Sequence, residues 1–393
     1  MVDLATWATD LQPEPSDVEV ARRALVDTVA VTLAAATDPI AGWTAGLPTA
    51  LRWAAVGHAL DFDDVHLPST AHVSVVCAHA TLATGGGARE YLAAAGVMAR
   101  LGTALGWRHY RSGWHTTCTA GAPAASVAAG LALGLDTEGL GRAMALAVPG
   151  AGGVQRAFGT SGKALQVGFA TDAGVRAARL AAAGADADPA TLDQWAALVG
   201  ASGELNLSGP IIPDGLAVKL HPCCYALQRP ITATRQLQRV PVVDIARIVI
   251  TTPEAAMAPL IHHDPRNGLQ GKFSIEYAVV AALLDGFPDA TSFTDTSVAR
   301  PEVRELLGKV QLRVSAGGED ILAGDTAVVI ERTNGMRTQV TLDLPQGHPS
   351  RPATEDELAA KVVACVGAAR ATEVMGLHWD SAAELLRRSL PGH

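Results

Sequence analysis

The chain has 393 residues, long enough for two domains or one large core. Hydrophobic residues make up 49% and aromatics only 4%, so alanine and leucine supply most of the apolar content and favour helices over strands. A net charge of −9, from 30 basic and 39 acidic residues with no polybasic run, argues against nucleic acid or an anionic membrane as a partner, and the scarcity of aromatics argues against a stacking platform for single strands.

The N-terminal Met1-Val2-Asp3-Leu4-Ala5 has no basic region followed by an apolar one, so no signal peptide is expected. The first half reads as helices. Residues 17–36 carry apolar side chains at helical spacing, with Ser16 as the expected N-cap. The apolar run 26–36 within them, like 363–369 near the other end, is too short to span a bilayer. Gly85-Gly86-Gly87 separates two Ala-rich segments, and the second, residues 90–106, is a further helix. Residues 120–134 are small and apolar nearly all round, the pattern of a buried helix. Residues 137–147 and 162–183 continue the theme, and their Ala and Gly content would allow close helix–helix approach.

After about Leu216 the texture changes. Residues 245–252 and 310–315 are β-branched and read as strands. Residues 326–332, the turn Asn334-Gly335 and residues 338–344 read as a hairpin. Residues 273–284 are apolar and helical, and 357–368 return to helix. The expected fold is mainly α with a smaller α+β domain: a large helical domain from residues 1–218 and 352–393, and an inserted α+β domain at 219–351. Five cysteines, an odd number in a large chain, do not suggest a disulfide framework, and a soluble cytoplasmic protein is the simplest expectation.

The densest chemistry lies at Gly57-His58-Ala59-Leu60-Asp61-Phe62-Asp63-Asp64-Val65-His66, followed closely by His72-Val73-Ser74. Carboxylates and imidazoles together can orient a ring tautomer, move protons or bind a metal. Carboxylates usually stay in water. Asp61, however, precedes Phe62 in an apolar run, so at least one carboxylate faces inward and needs a partner such as His72 or Lys163. A lone histidine is more often structural than catalytic, but His72 and His115 are the best proton-transfer candidates in the chain. His115 lies just before a small-residue helix, where anions are favoured. Lys163 and Lys219 sit among small or apolar residues rather than in charge clusters. His221 with Cys223-Cys224 invites a zinc reading, but adjacent cysteines are poor partners for one tetrahedral ion and no second Cys-x-x-Cys or His-x-x-x-His pair exists. His262-His263 reads as a surface loop. The glycine clusters at 85–87 and 150–153 match no phosphate-loop or dinucleotide pattern. Neither a metal nor a cofactor is expected.

Five ordered segments resemble signatures of the MmgE/PrpD family, which includes 2-methylcitrate dehydratases, cis-aconitate decarboxylases and iminodisuccinate epimerases. The segment from His58 through Ser74 resembles "HALDFDDT…HPS". Gly113-Trp114-His115-Thr116-Thr117-Cys118-Thr119-Ala120-Gly121 is similar to "GFHPTATAG", and the segment from Gly159 to Gly168 to "GTMTKPLHAG". Lys219-Leu220-His221-Pro222-Cys223-Cys224 is similar to "KPYPCC", and the segment from Gly268 to Tyr277 to "GLEAKFSLPY". The resemblance implies a large helical domain formed by both chain ends, a small α+β domain, a metal-free site in the cleft between them, and a homodimer. It also implies that Asp61, His72, His115, Lys163 and Lys219 line that site, with the lysines facing substrate carboxylates.

The chain departs from the family pattern at several points. Val65 stands where Thr is usual, Ser161-Gly162 where Met-Thr is usual, and Gln166 and Gln228 where His is usual. Val65, Ser161, Gln166 and Gln228, with His221, are read as the substrate-binding rim. The expected activity is that of a cofactor-independent, dehydratase-type lyase. It would abstract a proton α to a carboxylate or carbonyl of a small carboxylic acid and eliminate a β group. An epimerase or isomerase, a decarboxylase and a non-catalytic binding homologue are the alternatives. The altered rim predicts poor handling of methylcitrate and cis-aconitate.

Overall fold

The computed structural model describes residues 2–238 and 240–390. The first half is built from helices Val2–Asp10, Pro15–Ala34, Thr49–His58, Ser74–Thr84, Ala88–Arg111, Gly121–Ala132, Thr137–Ala147 and Gly162–Ala182. Helix Gly162–Ala182 is central and packs on Gly121–Ala132, Thr49–His58 and Thr137–Ala147. Small residues let these backbones touch. A Cβ on Gly174 would stand 2.3 Å from the Ala122 carbonyl oxygen, and one on Gly168 would stand 2.6 Å from that of Leu51.

Helix Pro15–Ala34 is capped two residues earlier than expected. Glu14, not Ser16, is its N-cap, and the Glu14 N–H donates to the Asp17 carboxylate at 2.9 Å. Pro15 at the first helical position supplies a pre-set φ, which outweighs the serine's capping preference. Helices Thr49–His58 and Ser74–Thr84 are buried along nearly their whole length, so neither carries the amphipathic stripe that announces a helix in sequence.

Both chain ends join the helical part. Helix Glu355–Val366 packs on Pro15–Ala34, where buried Lys361 lies 2.6 Å from buried Asp27. Helix Trp379–Ser389 packs on Pro15–Ala34 and Ser74–Thr84.

The late mixed segment forms one four-stranded sheet in the order β2-β1-β3-β4, from β1 (Ile245–Pro253), β2 (Val310–Ser315), β3 (Thr326–Arg332) and β4 (Arg337–Leu342). Strands β1 and β2 are parallel, with Ile250 opposite Leu312. The β1–β3 and β3–β4 pairs are antiparallel, and Val328 faces Ile250 on one side and Val340 on the other. The Asn334-Gly335 hairpin forms, with Gly335 at φ +85°, a conformation that favours glycine. Helix Gln228–Gln236 lies on β3 and β4, and helix Ile275–Asp285 packs against it. The fold is mainly α with a smaller α+β part. All five cysteines are free, and among the described residues no helix is long and apolar enough to cross a membrane.

Candidate active site

The site starts where helix Thr49–His58 ends. Three residues on, Asp61 adopts φ +51°, a left-handed conformation that aspartate tolerates better than most residues. This turn presents both its carbonyl and its carboxylate to Lys219. The Lys219 ammonium donates to Asp61 O at 2.8 Å and to Oδ1 at 2.7 Å. Lys163, in the first turn of helix Gly162–Ala182, donates to the same Oδ1 at 3.1 Å and to His58 Nε2 at 2.7 Å. An ammonium can only donate, so His58 Nε2 accepts and its Nδ1–H donates to Asp63 Oδ2 at 2.8 Å. All of these side chains are buried.

His72 sits against both carboxylates. Its Nδ1 is 3.1 Å from Asp63 Oδ2, but off the line of a hydrogen bond, and its Nε2 is 3.5 Å from Asp61 Oδ1. Its backbone N–H donates to Thr117 Oγ1 at 3.0 Å, and its ring stands edge-on to His58 with centroids 4.5 Å apart. The His115 ring lies 5.9 Å from that of His58 and 6.5 Å from that of His72, and meets Phe158 edge to face. His115 is the N-cap of the short helix Thr116–Thr119, which leads into Gly121–Ala132.

Two small cavities open on this cluster. Asp61, Val65, Thr70, His72, His115 and Lys163 line one, closed from the α+β side by Cys224, Tyr225, Pro259, Phe273 and Ile321. His58, Asp61, Thr160, Ser161, Lys163 and Lys272 line the other. Each has about 30 Å³ of space, room for a water or two. A far larger cavity of about 470 Å³, between Phe62, Leu220, Phe287 and Lys361, touches none of the imidazoles, so size does not mark the site.

Burial works against the charge of Asp61, but Lys163 and Lys219 outweigh it and hold this carboxyl well below the usual range. Burial likewise opposes the charge of Asp63, and His58 and His72 beside it hold it well below that range. The imidazoles move the other way. Burial lowers His58, pushes His72 down to about 3, and holds His115 well below its ordinary value with Lys163 adding to the effect. Three neutral rings therefore face two ionised carboxylates. Burial also brings Lys272 down to about 8, and its ammonium donates to the Leu60 carbonyl at 2.5 Å.

Asp61, His72, His115 and Lys163 thus meet at one place, and Lys219 stands directly behind Asp61. Lys219 lines neither cavity; it neutralises Asp61 rather than facing open space. Val65 and Ser161 each line one cavity, whereas Gln166 reaches His115 instead of open space. His221 and Gln228 line neither. His221 Nδ1 bonds the Pro288 carbonyl and its ring lies against Phe287. Gln228 clamps the loop after Lys219, accepting from the Leu220 and His221 N–H groups and donating to His221 O. The Gln228 amide is thus occupied by the loop backbone, while His221 Nε2 is buried without a hydrogen-bond partner among the described residues. Sequence reasoning passed over His58 and Asp63 as site members, although both lie in the quoted motif. It also missed Lys272 and Thr70, whose φ of +53° is strained for a β-branched residue.

His58, Asp61, Asp63 and His72 present ligand atoms within 4.8 Å of one another, a spacing that would suit a metal ion. The donor set does not fit one. Two ammonium groups already occupy the lone pairs of His58 Nε2 and Asp61 Oδ1 at 2.7–3.1 Å, and a divalent ion there would face both cations. The sequence-based zinc candidates His221, Cys223 and Cys224 form no such cluster among the described residues.

The fold, mainly α with a smaller α+β part, brings lysines, carboxylates and imidazoles into one buried cluster. The chain belongs to the MmgE/PrpD family: residues 44–202 match the MmgE/PrpD N-terminal domain and residues 221–380 the MmgE/PrpD C-terminal domain. It is similar to the cis-aconitate decarboxylase of Homo sapiens, 26% identical over 302 residues that cover 70% of this chain and 59% of that protein. The cis-aconitate decarboxylases of Aspergillus terreus (26% over 282 residues) and Mus musculus (25% over 269) each cover 63% of this chain and 57% and 54% of their own length. The chain thus spans little more than half the length of these relatives.

Proposed function

We propose that the chain is a cofactor-independent lyase acting on a small carboxylic acid. One imidazole of the His72–His115 pair takes the proton α to a carboxylate or carbonyl. The C–H electron pair flows into that group as an enolate, and Lys163 stabilises the new charge. The bond to a β hydroxyl then breaks, and the hydroxide leaves as water with the proton returned by the imidazolium. Lys219 acts behind Asp61, keeping that carboxylate ionised beside His72. The observation that carries this reading is the convergence of His72, His115, Asp61 and Lys163 on one buried cavity.

A second reading, loss of CO₂ instead of water, is favoured by the names of the relatives, all cis-aconitate decarboxylases. In that case the C–C electron pair stays on carbon and is quenched by a proton. Epimerisation would return the proton on the opposite face, and a binding homologue would hold a ligand without turnover. Incubation in D₂O with a panel of small hydroxy and unsaturated acids, followed by NMR, tests all four. Water or CO₂ release identifies the lyase. Deuterium incorporation with inversion at Cα and no loss of mass elsewhere would replace it by an epimerase. Tight binding with neither exchange nor turnover would leave only the binding homologue.

The same proposal takes residues 1–218 and 352–393 as the helical domain and 219–351 as the α+β domain, assembled as a homodimer. Light scattering on the purified protein tests the dimer.

A further inference from the structure

The Gln166 amide is held so that only one tautomer of His115 fits. Its Oε1 accepts the Val154 N–H at 3.0 Å, and its Nε2 donates to the Val154 carbonyl at 3.3 Å and to His115 Nδ1 at 2.7 Å. Turning the amide over would set its oxygen against the Val154 carbonyl and its NH₂ against the Val154 N–H, losing both Val154 bonds. The anchor and the target are themselves tied together. The His115 backbone N–H donates to Gly153 O at 2.9 Å, the Gln155 backbone N–H donates to Gly113 O at 2.8 Å, and Trp114 and Val154 form a β-bridge. Gly153, at φ +140°, lets this segment come close; a Cβ there would lie 2.7 Å from that of Cys118. The Cys118 thiol stands 3.4 Å from the same His115 Nδ1 and can donate to it as well.

We infer that Gln166 is a positioning residue that fixes His115 as the neutral tautomer with its proton on Nε2. A ring held this way has no lone pair to offer at Nε2 and cannot serve as the base. It can donate a hydrogen bond to the oxygen on which enolate charge develops, as a neutral imidazole does in other enolising sites. Proton abstraction then falls to His72, which lines the same cavity. This division of labour rests on the lyase reading. The tautomer itself does not, because it is set by hydrogen bonds present without substrate. Burial opposes protonation of the ring, and Lys163, His58 and His72 add to that. The groups facing it are Lys163, His58, His72 and Asp61, with the Cys118 thiol and the Phe158 ring, and only Asp61 favours a cation.

The test is the ring ¹⁵N spectrum of histidine-labelled protein, with the His115 signals identified by their loss in His115→Asn. In the wild type we expect Nδ1 unprotonated and Nε2 protonated, unchanged across the neutral range. In Gln166→Glu the carboxylate demands a donor, so the pattern should invert to Nδ1–H and the new charge should raise the proton affinity of the ring. The activity of that variant should fall about a hundredfold in kcat, the scale of losing one oxyanion donor. It should also acquire an acidic limb in its pH profile that the wild type lacks. Wild-type protein with its proton on Nδ1 would overturn the inference whether or not any substrate is turned over. So would a Gln166→Glu variant that folds and keeps the wild-type spectrum and kcat. A normal spectrum with no turnover of any acid would instead count against the lyase reading alone.

Discussion

The Lys163 ammonium lies 2.7 Å from His58 Nε2, so a lysine on one helix fixes the tautomer of a histidine on another. The same ammonium reaches Asp61 Oδ1 at 3.1 Å, which makes Lys163 the hinge between the imidazole and carboxylate halves of the cluster. It lines both cavities as well. Lys163→Met should therefore lower kcat/KM by about two to three orders of magnitude, the usual scale for losing an electrostatic stabiliser. Its circular dichroism spectrum should match wild type, because Lys219 still neutralises Asp61. A rate near wild type on an identified substrate would remove Lys163 from the centre of the reaction.

Lys219 predicts the opposite balance. It is fully buried, with Asp61 as both of its hydrogen-bond acceptors. Lys219→Met strands a carboxylate in the interior with one cation fewer, which should cost about 3–5 kcal/mol of stability. Urea unfolding measures this directly. A loss under about 1 kcal/mol, the level of an exposed pair, would mean that Asp61 does not depend on Lys219.

Stability should also fall on mild acidification. Burial pushes His66, His79 and His221 down to about 4 and His72 to about 3. As pH drops below 6.5 the unfolded chain binds protons that the folded chain refuses, so the folded state loses ground. Asp64 works against this. Burial raises it to about 7, so in the same window the folded state holds a proton that the unfolded state lacks. Asp27 is raised too, first by burial. The lowered histidines, His58, His109 and His115 among them, outnumber the two raised carboxyls, so stability should fall between pH 6 and 5. A melting temperature that stays level or rises across that unit would contradict the assignment.

The sequence exposes the site better than the small helices around it. Lys163, Asp61, His72 and His115 are polar residues in apolar runs, and burial forces such groups to find one another. His58 sat in the same motif but was not singled out, because nothing local says that its Nε2 meets a lysine 105 positions later. Gln228 had the converse problem. A glutamine can clamp a loop or face a ligand, and only the loop N–H groups at 3.1–3.2 Å decide between them. The strands and the Asn334-Gly335 hairpin were legible because alternation and turn chemistry are local. Helix Ser74–Thr84 was not, because burial on all sides erases the periodicity.

Metal should play no part in turnover. The four potential ligands are shared with two ammonium groups, so exhaustive dialysis against EDTA should leave activity unchanged and elemental analysis should find no stoichiometric zinc, iron or manganese. A metal that survives dialysis at one per chain, with activity that tracks it, would overturn the proton-transfer scheme.

Val65 is the departure from the family pattern whose side chain lines the cavity beside His72 and His115. Of the others, Ser161 lines the neighbouring cavity, while Gln166 and Gln228 act on protein groups. Val65 offers a substrate no hydrogen bond, and the surrounding backbone is fixed by reciprocal bonds between Val65 and Ala217 at 2.8 and 3.0 Å. The wall can therefore accept a hydroxyl of similar shape without moving. A new donor to a substrate carboxylate contributes about 1.5–3 kcal/mol, or roughly ten- to a hundredfold. Wild-type protein should turn over cis-aconitate and methylcitrate with kcat/KM under about 10⁴ M⁻¹s⁻¹, the lower end of the ordinary enzyme range. Val65→Thr should raise the value for these tricarboxylates by at least about tenfold while leaving smaller acids nearly unchanged, at some cost in stability for the added polar group. The comparison is made on one preparation with both substrate classes. Equal effects on both would place the hydroxyl away from the discriminating carboxylate. A wild type already efficient on tricarboxylates would show that Val65 excludes nothing.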